Sequence, residues 1–447
     1  MKLLSLRTAP ELARECRQKA AHLSADRDIG HTWERFALRG VRHHRHSCRQ
    51  SADGARRAAQ ARLQRIAWSL YAVNRRWELD ALRGLMLVLM TLTHLPTRWA
   101  GPTGQPLGFV SAAEGFVLLS AYMAGLVYTR RGLRDGLPAM RTAFVRRAGL
   151  IYACQAAMLL FLFTVIALLG LRIDQPAITN LLSFYLAEPV TALWSSLLLI
   201  YEPPLLDILP LYVLFMLVSP WVLAHALARG WGGVLAISVM LWLLAQFGLG
   251  DALYRAVTDA TGLTVPPEAT GAFAMYAWQF LWVLGLWMGA TQAGGEPLPT
   301  MPAWLVRVAV VVAGIGLLWR HGVGQVPFPG DPGLNLLFSK WQLGPLRLLN
   351  LFALLVLTLH YGPALARRLP PMTWLQNLGA ASLPVFCAHL VLVLLALALV
   401  GEPTAERALW VDLSLLAACF AALTVVAHAS ADRPTDPPAP RWAGQRT

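Results

Sequence analysis

From residue 78 onward, apolar runs near the roughly 20 residues needed to cross a bilayer recur, with polar breaks between them. Ten are predicted as membrane helices: 79–98, 108–128, 148–170, 205–228, 232–250, 273–292, 302–320, 344–361, 376–400 and 408–429. An eleventh run, 181–200, carries Glu188-Pro189 at its centre and is expected to be re-entrant or interfacial. The pattern changes ahead of residue 78. Residues 56–77 place Leu63, Ile66, Ala67, Leu70 and Tyr71 at helical spacing among arginines, as in a basic helix lying on a membrane surface. Residues 1–55 are rich in Arg and His with little periodicity, and 431–447 are Pro-rich and polar, as in a disordered tail. The expected fold is an all-α polytopic membrane protein of about ten transmembrane helices. Residues 1–76 form a basic cytoplasmic tail, 77–430 the membrane domain and 431–447 a second tail. Two readings of 1–76 stay open: a native tail, or an extension from a start codon upstream of the RRWELD segment.

Composition supports the membrane assignment. Of 447 residues, 56% are hydrophobic and 14% charged; about 25% charged is usual for a soluble domain. Such hydrophobicity also excludes disorder for the bulk of the chain. Many of the 17 tryptophans sit near the ends of apolar runs, as in an interfacial belt. Residues 1–76 hold 17 Lys+Arg against 6 Asp+Glu, so +11 of the net +14 lies there. No recognition motif accompanies that charge, so no nucleic-acid partner is expected; membrane lipid is. With the N-terminus inside, the inner loops and C-terminal tail carry 12 basic residues and the outer loops 6. The positive-inside rule then gives N-in and C-in, with loop 129–147 the strongest anchor. The long loops 171–204, 251–272 and 321–343 fall outside, where a protein handling an external substrate would put its volume. Five widely spaced cysteines suggest neither a disulfide framework nor a zinc site. The first residues lack an unbroken apolar stretch, so no cleaved signal peptide is expected. No Walker loop, dinucleotide fingerprint or HExxH motif appears, and no metal or cofactor is expected.

Ionisable residues inside spans are expensive, which makes them functional candidates. Most here lie near span ends: Arg307 and Arg347 can snorkel, His225, His360 and His428 read as interfacial, and Asp412 is expected near the outer surface. His389 is mid-span, and a buried histidine bonded to a neighbouring helix is its expected role. The first two spans differ in kind. Arg83 and His94 are eleven residues apart, which returns almost to the same helix face over ~16 Å of rise. Asp80 precedes Arg83 by three positions and can pair with it. The second span runs back, so Glu114 and His94 fall at similar depths. A carboxylate beside an imidazole makes a general-base pair, and a proton relay in a transporter could use the same parts.

The R-x10-H spacing from Arg83 to His94 is similar to the R/K-x10-H signature of acyltransferase-3 type membrane acyltransferases. The surroundings resemble one branch more closely, the OpgC proteins that modify osmoregulated periplasmic glucans. The segments that carry this are ELDALRGLMLVLMTLTHLP, GFVSAAEGFVLLSAYMAGLVY, RRAGLIYACQ, ILPLYVLFMLVSP, WQFLWVLGLWMG, LGPLRLLNLFAL and NLGAASLPVFCAH, in order over roughly 78–430. The resemblance implies a ten-helix enzyme of a bacterial inner membrane. It would esterify hydroxyls of a periplasmic β-glucan with succinyl groups from a cytoplasmic acyl-CoA, succinyl-CoA. Asp80, Arg83, His94 and Glu114 are the motif positions. His94 would be the general base, oriented by Glu114. Asp80 and Arg83, with Arg146 and Arg147 at the inner start of span 3, would meet the acyl-CoA; a register-fixing pair and topology anchors are the alternatives. Trp278, Gln279, Lys340, Trp341 and Arg347 are acceptor-side candidates, with Lys340 and Arg347 suited to a succinyl carboxylate. A transporter with His94 and Glu114 as relay, and an O-acetyltransferase of the same fold acting on another polysaccharide, are the competing readings.

Overall fold

A computed structural model describes residues 77–295, 300–404 and 406–431. The surface helix predicted over 56–77 and both tails lie outside the described residues, apart from Trp77 at its end. All regular structure among the described residues is helical. The long helices are α1 (Trp77–His94), α2 (Ala112–Asp135), α3 (Leu137–Ile173), α4 (Ile208–Arg229), α5 (Gly232–Gln246), α6 (Leu249–Thr261), α7 (Met275–Ala293), α8 (Ala303–Val323), α9 (Pro345–Arg368), α10 (Thr373–Ala380), α11 (Ser382–Val400) and α12 (Leu409–Ala431).

Each of the ten predicted spans overlaps one of these helices or a successive pair. Seven are long and apolar enough to cross a membrane by themselves, or up to eight if the bent pair α5–α6 is counted as one span. These do not include α1, which carries Glu78, Asp80 and Arg83, or α7, whose apolar run is diluted by Trp, Gln and Gly. A helix of that kind is at home only where other helices cover it, and α7 buries most of its length.

Small residues set the central packing. Gly285 and Gly289 of α7 stand one turn apart, and a Cβ on either would strike α2 backbone at Leu118 or Tyr122. Gly125 of α2 meets the Leu286 carbonyl from the other side. This small-xxx-small contact lets two backbones touch, the usual way membrane helices gain dispersion energy without a hydrophobic driving force. The same device joins α1 to α10: Gly84 lies against the Leu375 carbonyl and Gly379 against the Asp80 carbonyl. Helices α8, α9 and α12 lie at the periphery, each with most of its apolar surface turned outward.

Three expectations change. The predicted loop 129–147 is mostly helix: α2 runs to Asp135, α3 starts at Leu137, and the reversal is made at Gly136, whose φ of 88° suits glycine. At 37 residues α3 is about 55 Å long, more than a bilayer core, so its Arg-rich start is a helical projection. The predicted span 376–400 is broken at Ala381 into α10 and α11. The predicted span 232–250 ends at Gln246, where the chain bends by 77° into amphipathic α6, so loop 251–272 begins as helix. Segment 181–200 forms only the short helices Ser183–Ala187 and Pro189–Leu197, separated at Glu188 ahead of a proline that cannot donate a backbone hydrogen bond.

Candidate active site

Helix α1 ends at His94, and the following Leu95-Pro96-Thr97 turns away from the helix axis. The last side chain of the helix therefore faces inward, to α11. His94 Nδ1 lies 3.2 Å from Nε2 of His389, and the two rings are 16° from parallel. His389 is fully buried, and its Nδ1 is 2.6 Å from the backbone carbonyl of Phe386. Lower on the same two elements, Arg83 donates to the hydroxyl of Ser382 at the first position of α11. The α10–α11 break puts Ser382 there. Helices α1 and α11 are thus joined twice, by a cation–hydroxyl bond and by a histidine pair.

Beside these contacts lies a cavity of about 230 Å³ walled by α1, α2, α3, α4 and α11. Arg83 and Arg147 supply its two cations, and Ser120, Ser382, Tyr128 and Tyr212 its hydroxyls. Phe116, Ile151, Met216, Leu383 and Phe386 make apolar wall. Phe386 connects the cavity to the histidines: its ring packs edge-on to His389 at 4.9 Å and stacks with Phe116 at 5.9 Å. No carboxylate lines this cavity.

Glu114 does not orient His94. Its carboxylate accepts from Arg347 Nε at 2.7 Å through one oxygen, and from the backbone N–H (3.0 Å) and hydroxyl of Ser111 through the other. Glu114 and Arg347 side chains are 0% and 1% exposed, so this is a buried ion pair built on a helix capping box. The partner comes from α9, 233 positions along the chain, rather than from α1. Arg347 is correspondingly bound inside the protein through Nε, while neither Nη has a hydrogen-bond partner.

The remaining expected residues divide. Arg147 lines the cavity, whereas Arg146 is exposed on another face of α3. Asp80 is buried at the α1–α10 contact, outside the cavity wall. Gln279 is spent on α5, donating to the Ser238 carbonyl at 2.7 Å and accepting from its hydroxyl at 2.8 Å. Trp278 is fully buried and donates to the Trp341 carbonyl at 2.9 Å, so it anchors the 324–344 loop rather than presenting a face. Trp341 is 44% exposed, with the Lys340 ammonium 4.5 Å over its ring.

Lys340 is the charge that ties the 324–344 loop to the site. It lies within electrostatic reach of His94, Glu114, Arg347 and Asp207. Burial lowers its pKa from the usual lysine value, an effect that Glu114 opposes. Across from it, burial pushes the Glu202 carboxyl well above the ordinary carboxylate range, with Asp207 adding repulsion. Asp207 is itself raised by burial, against the pull of an Ala272 N–H at 3.2 Å and of Lys340.

Ser382 and the cavity-facing Tyr212 are the site groups that the sequence did not single out; His389, expected as a buried histidine bonded to a neighbouring helix, is one, with His94 of α1 as its partner. The mid-span position of His389 was the one available signal. Among the described residues no group of three or more His, Cys, Asp or Glu could hold a metal ion.

Apolar helices around a basic, apolar-walled cavity with an imidazole pair beside it define a polytopic helical membrane protein with a buried polar centre. Residues 75–434 match the family model described as OpgC protein, and the chain belongs to that family. Membership implies an acyltransferase role in periplasmic glucan modification. No curated protein and no solved structure matches.

Proposed function

We propose that the chain moves a succinyl group from a cytoplasmic acyl-CoA to hydroxyls of a periplasmic β-glucan, across a bacterial inner membrane that it spans ten times with both ends inside. The observation that carries this is the cavity. Arg83 and Arg147 offer guanidinium forks suited to phosphate oxygens, the apolar wall suits an extended acyl-carrying arm, and Phe386 links that wall to His389 and His94. Arg147 lies in the Arg-rich start of α3, the inner end under the positive-inside assignment, while Lys340, Trp341 and the long loops lie outside.

The chemistry is one acyl transfer. A sugar hydroxyl oxygen attacks the thioester carbonyl carbon as its proton passes to His94. The tetrahedral intermediate collapses with cleavage of the C–S bond. The leaving thiolate takes the proton back from His94, giving an ester and a free thiol. Glu114 has no part in this step, being committed to Arg347. Lys340 beside the exposed Trp341 ring presents a cation and an aromatic face on the acceptor side, the pair of features a sugar and a nearby carboxylate would meet.

The test is the charge of periplasmic glucans from a strain lacking the gene, complemented with wild type or His94→Ala, separated by anion exchange and analysed by mass. Wild type should restore succinylated, anionic glucans and His94→Ala should not. Glucans unchanged by wild-type complementation would overturn the substrate assignment and bring forward the transporter reading. Turnover by His94→Ala would remove His94 as the base.

A further inference from the structure

We propose that His389 is a positioning residue that locks His94 in the tautomer carrying its proton on Nδ1, leaving Nε2 as the bare nitrogen that accepts the hydroxyl proton. This rests on the acyl-transfer reading above for its consequence, and on geometry for its content.

One chain of hydrogen bonds fixes the protons, from the Phe386 carbonyl through His389 to His94. The Phe386 carbonyl can only accept, so the 2.6 Å contact requires a proton on His389 Nδ1. A neutral imidazole has one N–H, so His389 Nε2 then holds a lone pair. His94 Nδ1 stands 3.2 Å from that nitrogen and must supply the proton between them. His94, neutral in turn, is left with its lone pair on Nε2. The reverse direction would set a lone pair of His389 against the Phe386 oxygen at 2.6 Å. The ring geometry agrees: with centroids 5.6 Å apart and planes 16° from parallel, a 3.2 Å N···N approach places the rings edge to edge, where a hydrogen bond can form, and not face to face.

Burial assigns the two roles. His389 is 0% exposed, held by the Phe386 carbonyl and the Phe386 ring, so no substrate hydroxyl reaches it. His94 is only partly buried at the end of α1. When His94 Nε2 takes a proton, its Nδ1–H becomes a charge-assisted donor to His389 Nε2. A neutral imidazole thus does for His94 what the sequence had assigned to a carboxylate.

Three substitutions separate this role from mere packing. His389→Gln can place an amide oxygen near the Nε2 position, keeping an acceptor for His94. His389→Asn can place an amide N–H near the Nδ1 position, keeping the Phe386 bond but offering nothing to His94. His389→Ala keeps neither. Asn and Ala should both lower kcat by roughly 10–100-fold, the weight of a lost charge-assisted bond, with KM for the acyl donor little changed. Gln should retain most of kcat. The independent readout is the ¹⁵N shift of the His94 ring nitrogens in purified protein, which needs no turnover: Nδ1 protonated and Nε2 bare in wild type and Gln, mixed tautomers in Asn and Ala. Retention of kcat in folded Asn and Ala variants, or a wild-type His94 protonated on Nε2, would overturn the proposal. The predicted ¹⁵N pattern in a protein that transfers no acyl group would leave the tautomer lock standing and defeat the acyl-transfer reading instead.

Discussion

Glu114→Gln tests whether this carboxylate is structural, as its partners indicate, or catalytic, as its depth beside His94 suggested. Glutamine keeps the shape and an oxygen for Ser111, so the capping box survives, while the charge is deleted and an amide NH2 replaces the oxygen that accepted from Arg347 Nε. Arg347, 1% exposed, would then hold a buried guanidinium without its counterion, with the Lys340 ammonium in electrostatic reach. At an effective dielectric of about 20, charges at the 2.7 Å separation of this pair attract by roughly 6 kcal/mol, much of it offset by the desolvation both ions bear. Losing one member leaves that desolvation in place, and the expected cost is about 3–5 kcal/mol. That is a drop of roughly two to three and a half decades in the folded-to-unfolded ratio. Removing both charges in Glu114→Gln/Arg347→Met should recover most of it, because an apolar pair of similar volume is commonly as stable as a buried ion pair. Unfolding by heat or SDS in detergent micelles, followed by helical circular dichroism, reads all three proteins. A Glu114→Gln variant within about 0.5 kcal/mol of wild type, yet inactive, would refute the structural role and return Glu114 to the chemistry.

Other outcomes follow from the same geometry. Arg83→Ala should raise KM for the acyl donor by roughly 10–100-fold, the loss of one charge-assisted bond, while acceptor KM holds; an unchanged donor KM in steady-state kinetics would give Arg83 a role in helix packing, such as its bond to Ser382, instead of donor binding. Gly379→Ala should destabilise by about 1–3 kcal/mol and cut turnover, since its methyl would strike the Asp80 carbonyl and part α1 from α10–α11; wild-type stability and rate would show that the two backbones do not touch. Glu202 should make stability pH-dependent. Its folded-state pKa lies above the unfolded one, so its contribution is full below the ordinary carboxylate range and lost as pH rises through the raised value. Glu202→Gln should therefore gain thermal stability over wild type at alkaline pH and little at acid pH, and identical pH slopes in melting temperature would contradict this.

The sequence by itself determined the class of protein, because hydropathy, span length and loop charge are local properties summed along the chain. It also marked α1 as a candidate functional helix: Asp80, Arg83 and His94 are ionisable groups in an apolar segment, and only function or special packing would keep them there. Arg83 and Arg147, both named from the sequence as donor-side candidates, line one cavity. What the tertiary structure decided was partnership. Depth in the membrane can be counted from a hairpin, but the rotation of one helix about its axis relative to another cannot. Glu114 therefore went to Arg347, 233 positions away, and His94 to His389, 295 positions away. The break at Ala381, where α10 gives way to α11, lies inside an apolar run that reads as one continuous span. It aims Ser382 at Arg83 and His389 at His94, while Gly84 and Gly379 let α10 press directly on α1.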